Sequence, residues 1–401
     1  MTEPDIAEIA AWIAKAGLAG KPETAVIGGF CDRALTCGLP LRRAIVFIDT
    51  LHPVHEGRRF LWDRASADTT LAEYGRTNEG EAAERWRGSP FYHLWASGDS
   101  LMRRRVDFSG EPEFEMLRDL REEGITDFVT IINRFAAGGV IGEMDCVYSA
   151  WMTDRVGGFD DADVEALRRL VTFLGLAVKS ASLGRIAQTL VETYLGRDAG
   201  RRVLGGRIAR GVADKIDAVL WFSDLRGYTR ISDTAPPEQI IPLLNDYADA
   251  IISAIHQHGG DVLKLIGDGV LAIFPARERE LACAAALDAA TLAMKAVGAL
   301  IVRRGEQGLP ATDMYLGLHI GEMFYGNIGS DERLDFTVVG PAVNEVSRIA
   351  AMCRSADQPL LFSAAFAASV RESRHPLVSV GKYALRGVGR PMELFTLDLS
   401  A

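Results

Sequence analysis

The sequence predicts a mixed α/β (α+β) chain with a βαββαβ core in its C-terminal half, a smaller α/β domain before it and a linker helix between them. Three observations predict this. Short β-rich runs and helix-period stretches alternate in that order from about residue 213 onward. A separate set of strands and helices fills roughly residues 1–180. Between the two, apolar residues recur in three- and four-residue steps, the period of an amphipathic helix. The 401 residues favour two or three domains over one. The expected divisions are 1–180, a helical linker at 181–212 able to form a coiled coil, and 213–401.

Composition narrows the function. Hydrophobic residues make up 48% and charged residues 24%, ordinary values for a globular protein. The formal net charge of −10 argues against a nucleic-acid binder, which carries a basic stripe. An anionic ligand would have to be met by a local positive field from metals, basic side chains and backbone N–H groups. The five cysteines (Cys31, Cys37, Cys146, Cys283 and Cys353) form no CxxC pair, so neither a disulfide framework nor a zinc site is expected. The first eleven residues contain acids and lack a signal-peptide pattern. Charge interrupts the longest apolar stretches within a dozen residues, so no bilayer span is expected. These features give a soluble cytoplasmic protein as the expectation.

In the first region, Ile6–Ala16 and Thr24–Cys37 read as helices, and Arg43–Asp49 as a β-rich run. Arg58–Arg64 alternates as a half-buried strand. A loop-rich middle follows, and then strands at Phe128–Asn133 and Asp145–Met152 around the loop Phe135–Gly139. Gly157–Asp163 supplies turn glycines and a helix N-cap. Ser89–Asp99, the paired strands at 128–152 and Gly158–Leu167 together resemble a GAF domain, a small sensory module, over roughly residues 20–180. The helix that follows, about Ala162–Leu195, places Leu167, Leu170, Val171, Leu174, Val178, Ala181, Ile186 and Leu190 on one stripe. Its first half covers a sheet or pairs with a second copy; its second half is expected to form a dimer seam.

In the third region, Ala218–Ser223 is a strand and Pro237–His258 a helix. Asp261–Ile266 and Val270–Pro275 flank the hairpin signal Gly267-Asp-Gly269. Glu278–Arg303 is an alanine-rich helix, Met314–Ile320 a strand and Ala342–Cys353 a helix opened by Gly340-Pro341. The order gives a ferredoxin-like sheet with helices on one face.

Two carboxylates in this region stand where chemistry is expected. Asp224 ends a strand before the turn Leu225-Arg226-Gly227-Tyr228-Thr229, whose N–H groups can face phosphate oxygens. Asp268 lies in the hairpin. On adjacent central strands the two would repel each other unless a hard cation joined them. Phe222–Thr229, Lys264–Gly269, Gly317–Glu322 with Tyr325–Gly329, and Asp335–Arg348 resemble, in order, the four signatures of class III nucleotide cyclases. The resemblance spans about residues 215–400.

The resemblance implies a role for each matched residue. Asp224 and Asp268 would hold two Mg2+ or Mn2+ ions, Lys264 and Thr337 would read the purine, and Asn344 would orient the ribose. Arg348 would stabilise phosphate charge in the transition state. Arg386 lies where the family carries a basic residue and is a candidate phosphate contact. Asn344 and Arg348 stand at i and i+4, which independently puts them on one helix face. A lysine donor and a threonine acceptor complement adenine N1 and its 6-amino group, which favours ATP; guanine reverses that pattern. Pro341 and Glu345 depart from the family pattern, and Glu345 is placed to pair with Arg348 at i,i+3.

In this family the metal acids and the purine readers of one site come from two domains, so a chain with one domain is expected to act as a homodimer. The N-terminal domain would then sense a small-molecule or redox signal; His52, His55 and His93 are conceivable metal or haem ligands, although loop histidines without a role are commoner. The competing readings are a guanylyl cyclase, a catalytically dead nucleotide-binding module and a purely structural dimerisation module.

Overall fold

The computed structural model describes residues 1–66, 68–106, 110–370 and 376–398. The chain divides into two compact units, Met1–Leu190 and Val191–Ala401.

The first unit runs α1 (Glu3–Leu18), α2 (Glu23–Thr36), β1 (Arg43–Asp49), β2 (Gly57–Asp63), β3 (Thr70–Tyr74), α3 (Gly80–Arg87), α4 (Pro90–Ser97), β4 (Leu101–Arg105), α5 (Met116–Glu122), β5 (Asp127–Arg134), β6 (Cys146–Thr153) and α6 (Asp161–Leu195). The strands form one antiparallel sheet in the order β3-β2-β1-β6-β5-β4. Alternation along each strand sends side chains to opposite faces. Val46, Phe60, Val129 and Trp151 meet α1, α2 and α6 on one face, whereas Phe47, Phe128, Tyr148 and Met152 meet α3, α4 and α5 on the other.

Local chemistry sets several helix ends. Thr2 and Asp5 form a reciprocal capping box at the start of α1. Ser89 caps α4 ahead of Pro90, and Gly98 ends it in the left-handed region. The stripe on α6 behaves differently from the expected dimer seam. Ile186 is buried in the core of this unit, and Leu183 and Leu190 pack against it. Those residues pack within their own unit, while Phe173, Leu176 and Tyr194 are the large apolar residues α6 leaves exposed.

The second unit continues with α7 (Arg197–Leu204), β7 (Ala213–Leu225), α8 (Tyr228–Thr234), α9 (Pro237–Gln257), β8 (Asp261–Ile266), β9 (Gly269–Pro275), α10 (Arg279–Glu306), β10 (Met314–Gly329), β11 (Leu334–Val339), α11 (Pro341–Ala356), β12 (Leu360–Ser363), α12 (Ala364–Ser369), β13 (Leu377–Tyr383) and β14 (Met392–Leu397). The strand path is β13-β14-β12-β10-β7-β9-β8, with β11 paired to β10. The stretch β10-β7-β9-β8 is the arrangement the βαββαβ order predicts.

The expectation of helices on one face needs correction. Val219, Trp221 and Leu225 of β7 pack with α9 and α10, but Ala218 and Leu220 pack with Ala342 and Val346 of α11 and Ala199 of α7. Both faces of the central strand are therefore covered.

Two further expectations concern the long helices and the cysteines. The helices α6 and α10 are each long and apolar enough to cross a membrane by length and composition. Each places its buried side in the core of its own unit. The redox alternative concerns cysteines that are mostly sequestered. Cys31, Cys146, Cys283 and Cys353 are buried and Cys37 is half-buried. Burial pushes every one of these thiols up, Cys283 and Cys353 to about 12, which leaves little thiolate.

Candidate active site

The acids meet at one end of β7. Asp224 follows the alternation of Leu220 and Phe222, so it faces the α11 side and is exposed at the strand's end. Asp268 sits in the β8–β9 turn after Gly267, whose φ of +63° suits glycine. Its Oδ2 accepts the Leu225 N–H at 3.1 Å, which ties the hairpin to the strand carrying Asp224. Gly269 lets the two strands close: a Cβ there would lie 2.8 Å from the Ser223 carbonyl and 3.8 Å from Asp224 Oδ1. Loss of hydration first, and the neighbouring Asp268 second, raise the Asp224 carboxyl to about 7.

Such a pair suits a hard divalent cation. Among the described residues no group of three or more His, Cys, Asp or Glu side chains could hold a metal. Asp224 and Asp268 are the residues that could hold such an ion, and water and ligand oxygens would complete its shell, an arrangement Mg2+ and Mn2+ accept with phosphates. The His52–His55 pair serves its own loop instead: His52 Nδ1 accepts N–H groups of Val54 and His55, and His55 faces Glu73 at 3.1 Å. His93 packs edge-on against Phe114.

The turn after Asp224 is partly committed already. The Leu225 N–H goes to Asp268 and the Arg226 N–H to the Asp313 carbonyl at 2.8 Å. The side chain of Leu225 is buried in the core. An anion would therefore meet Gly227, Tyr228 and Thr229, where Gly227 at φ +67° opens α8.

The purine-reading candidates lie on β8 and β11. Lys264 Nζ donates to Asp335 Oδ2. Thr337 stands two residues further along the same strand, buried, and pairs with Gly326 of β10. Tyr325 and Phe336 lock the β10–β11 arm edge to face, with ring centres 4.8 Å apart. Asp335 was not singled out from sequence, where its charge partner lies far away in the chain.

Asn344 and Arg348 both stand exposed on α11, as their spacing predicts. The opposite side of the helix buries Val346, Ile349, Ala350 and Cys353. Gly317 of β10 makes room for this contact: a Cβ would lie 2.7 Å from Ala350 N and 2.8 Å from the Val346 carbonyl. Glu345 does not pair with Arg348. Its Oε2 lies 2.9 Å from His319 Nε2, while His319 Nδ1 lies 2.8 Å from Ser363 Oγ. Burial lowers the imidazole and raises Glu345, and this trio fixes α11 to the sheet. Sequence reasoning missed it because the three residues are dispersed along the chain. Arg386 is exposed in the turn between β13 and β14 and makes no polar contact with the other candidates among the described residues.

Known proteins resemble this chain over its C-terminal part. Residues 212–398 match the family described as the adenylate and guanylate cyclase catalytic domain. An adenylate cyclase of Anabaena cylindrica is 35% identical over 139 residues, 35% of this chain and 28% of that protein. An uncharacterised protein of Mycobacterium tuberculosis is 31% identical over 209 residues, 51% of this chain and 37% of that protein. The chain thus spans little more than a third of that relative's length. The crystal structure of the adenylyl cyclase CyaB from P. aeruginosa is 25% identical, covering 47% of this chain and 96% of that one at a TM-score of 0.44. All four signatures lie inside the matched stretch, so residues 212–398 of this chain are similar to the adenylate and guanylate cyclase catalytic-domain family in motif order as well as in overall sequence.

Proposed function

We propose that the C-terminal unit converts ATP to 3′,5′-cyclic AMP and pyrophosphate at a site shared by two copies of the chain. The observation that carries the choice of ATP is Lys264, held by Asp335 on the strand that also bears Thr337. An ammonium has three donors, so Lys264 can keep Asp335 while offering another N–H to adenine N1. The Thr337 hydroxyl then accepts from the 6-amino group.

In the reaction the ribose 3′-oxygen forms a bond to the α-phosphorus, the bond from that phosphorus to pyrophosphate breaks, and the 3′-hydroxyl proton passes to solvent. Mg2+ or Mn2+ ions held by Asp224 and Asp268 supply charge neutralisation and a lowered 3′-hydroxyl pKa when bound. Asn344 orients the ribose from α11. Arg348, one turn further on, brings a fixed positive charge to the phosphates; removing such a group typically costs roughly 10²–10³ in rate.

Exposed apolar side chains beside the site support pairing of two copies. Phe324, Ile328, Leu334 and Val339 are exposed on the β10–β11 arm, and Leu265 and Ile266 on β8. In our reading the GAF-like N-terminal unit regulates the rate, and the enzyme works in the cytoplasm, where its nucleotide is. Unchanged activity and unchanged dimerisation after deletion of residues 1–180 would remove the regulatory part.

The direct experiment is incubation of purified protein with ATP or GTP plus Mg2+ or Mn2+, with cyclic products quantified beside an Asp224→Ala control. Cyclic AMP that disappears in the control supports the reading. Cyclic GMP as the main product would make it a guanylyl cyclase, and no product from either nucleotide would favour a nucleotide-binding module.

A further inference from the structure

The first unit contains a cavity of about 880 Å3, remote in sequence from every residue of the candidate active site. It opens on the face of the six-stranded sheet that carries α3 and α4. Its size lies within the range of pockets that take small organic ligands.

Its walls are aromatic. Phe47 of β1, Tyr74 of β3 and Tyr148 of β6 come from the sheet, and Trp86, Phe91 and Trp95 from α3 and α4. These rings fix one another edge to face. Phe47 and Phe91 centres are 5.1 Å apart, and Trp86 and Tyr148 centres 5.4 Å apart. Packing of this kind holds the rings in place without a ligand, so the cavity is preformed.

Its polar end is acidic. Asp49, Glu56, Glu143 and Asp145 line it. Only Glu143 has a cationic partner among the described residues, Arg76 at 3.7 Å. Asp49 accepts the Tyr74 hydroxyl at 2.7 Å, Glu56 accepts from Thr77, and Asp145 receives the Trp95 indole N–H at 3.4 Å. Burial, and then the charges of Glu56, Asp145 and Glu143, push Asp49 up to about 7. Asp49, Glu56 and Asp145 therefore lack a cationic partner among the described residues, and a positive group would relieve their mutual repulsion. No three of them converge as a metal site. Arg59 and Arg85 also line the cavity and are exposed.

We propose that this cavity binds a small organic cation, an amine or quaternary ammonium on an apolar or aromatic frame, with the charge set among Asp49, Glu56 and Asp145 and the frame between the aromatic walls. The faces of Trp and Tyr rings attract cations, and a carboxylate cluster without a converging geometry suits a diffuse organic charge better than a bare ion.

The test uses the full chain and isothermal calorimetry, with tryptamine as probe and indole-3-acetate as the same ring bearing the opposite charge. Tryptamine should bind, and indole-3-acetate should bind at least about tenfold more weakly. Asp145→Asn, which keeps the acceptor for Trp95, should weaken tryptamine by about fivefold or more, and Trp86→Leu should do the same. Equal or tighter binding of indole-3-acetate would overturn the proposal and assign the cavity to anions held by Arg59 and Arg85. So would tryptamine binding that both variants leave unchanged, or failure of tryptamine and phenyltrimethylammonium alike to bind at millimolar concentration. Binding is read as heat, so an inactive cyclase gives the same answer, and the two proposals fail separately.

Discussion

Lys264 on β8 and Asp335 on β11 form an ion pair that joins two strands lying far apart in the sheet path. The pair aims the lysine along the strand that bears Thr337. Asp335→Asn should therefore loosen Lys264, the proposed purine reader, without touching Asp224 and Asp268. The expected outcome is a KM for ATP raised about two- to fivefold with kcat nearly unchanged, since a half-exposed pair contributes about 1 kcal/mol or less. A fall in kcat alone would show that Asp335 acts elsewhere.

Asp224 gives a pH signature. Its carboxyl is raised to about 7 in the folded chain, against about 4 when unfolded. The folded state thus holds the extra proton between those values, and its stability falls as pH rises through them. In EDTA the wild-type melting temperature should drop from pH 5 to pH 8, and Asp224→Asn should flatten that drop. Mg2+ or Mn2+ should restore stability at pH 8 in the wild type only. Restoration in the variant as well would place the metal elsewhere.

Gly317 sets the distance between α11 and the sheet. Gly317→Ala forces a methyl group against the backbone at Ala350 and Val346. The helix must shift, at a cost of about 1–3 kcal/mol in stability, and Asn344 and Arg348 shift with it. The expected kinetics are a kcat lowered at least about tenfold in protein that remains folded by circular dichroism. Full activity would show that the helix position is not critical.

The first unit has a pH dependence of its own. Asp49 faces Glu56 before β2, Glu143 and Asp145 before β6, and the hydroxyls of Tyr74 and Tyr148. Its raised carboxyl stabilises the fold below about pH 4 and loses that contribution as pH rises to about 7. Asp49→Asn should reduce the fall in melting temperature of this unit between pH 5 and pH 8, and a bound cation should act in the same direction as the substitution. A fall as steep in the variant would assign it to other groups.

Much of the second unit was legible because its signals are local. Gly267-Asp-Gly269 marks a hairpin by turn chemistry alone, and the i,i+4 spacing of Asn344 and Arg348 survives folding unchanged. What was not legible depends on faces and distant partners. The order of elements does not say that α11 lies opposite α9 and α10. Nothing near Glu345 in the chain announces His319, so the adjacent Arg348 looked like its partner. In the first unit, α3, α4, β4 and α5 are five to eight residues long, too short for a period to emerge. Strand β3 is mostly exposed on both sides, so it shows no alternation at all.

The sequestered sulfurs supply a built-in gauge of folding. Four of the five thiols lie inside the two cores, Cys31 and Cys146 in the first unit and Cys283 and Cys353 in the second. A thiol reagent reaches them only when the surrounding unit opens. Mass mapping of labelled cysteines over time would therefore report opening of each unit separately, in the unaltered protein and without any added probe, with half-buried Cys37 marking the fast baseline.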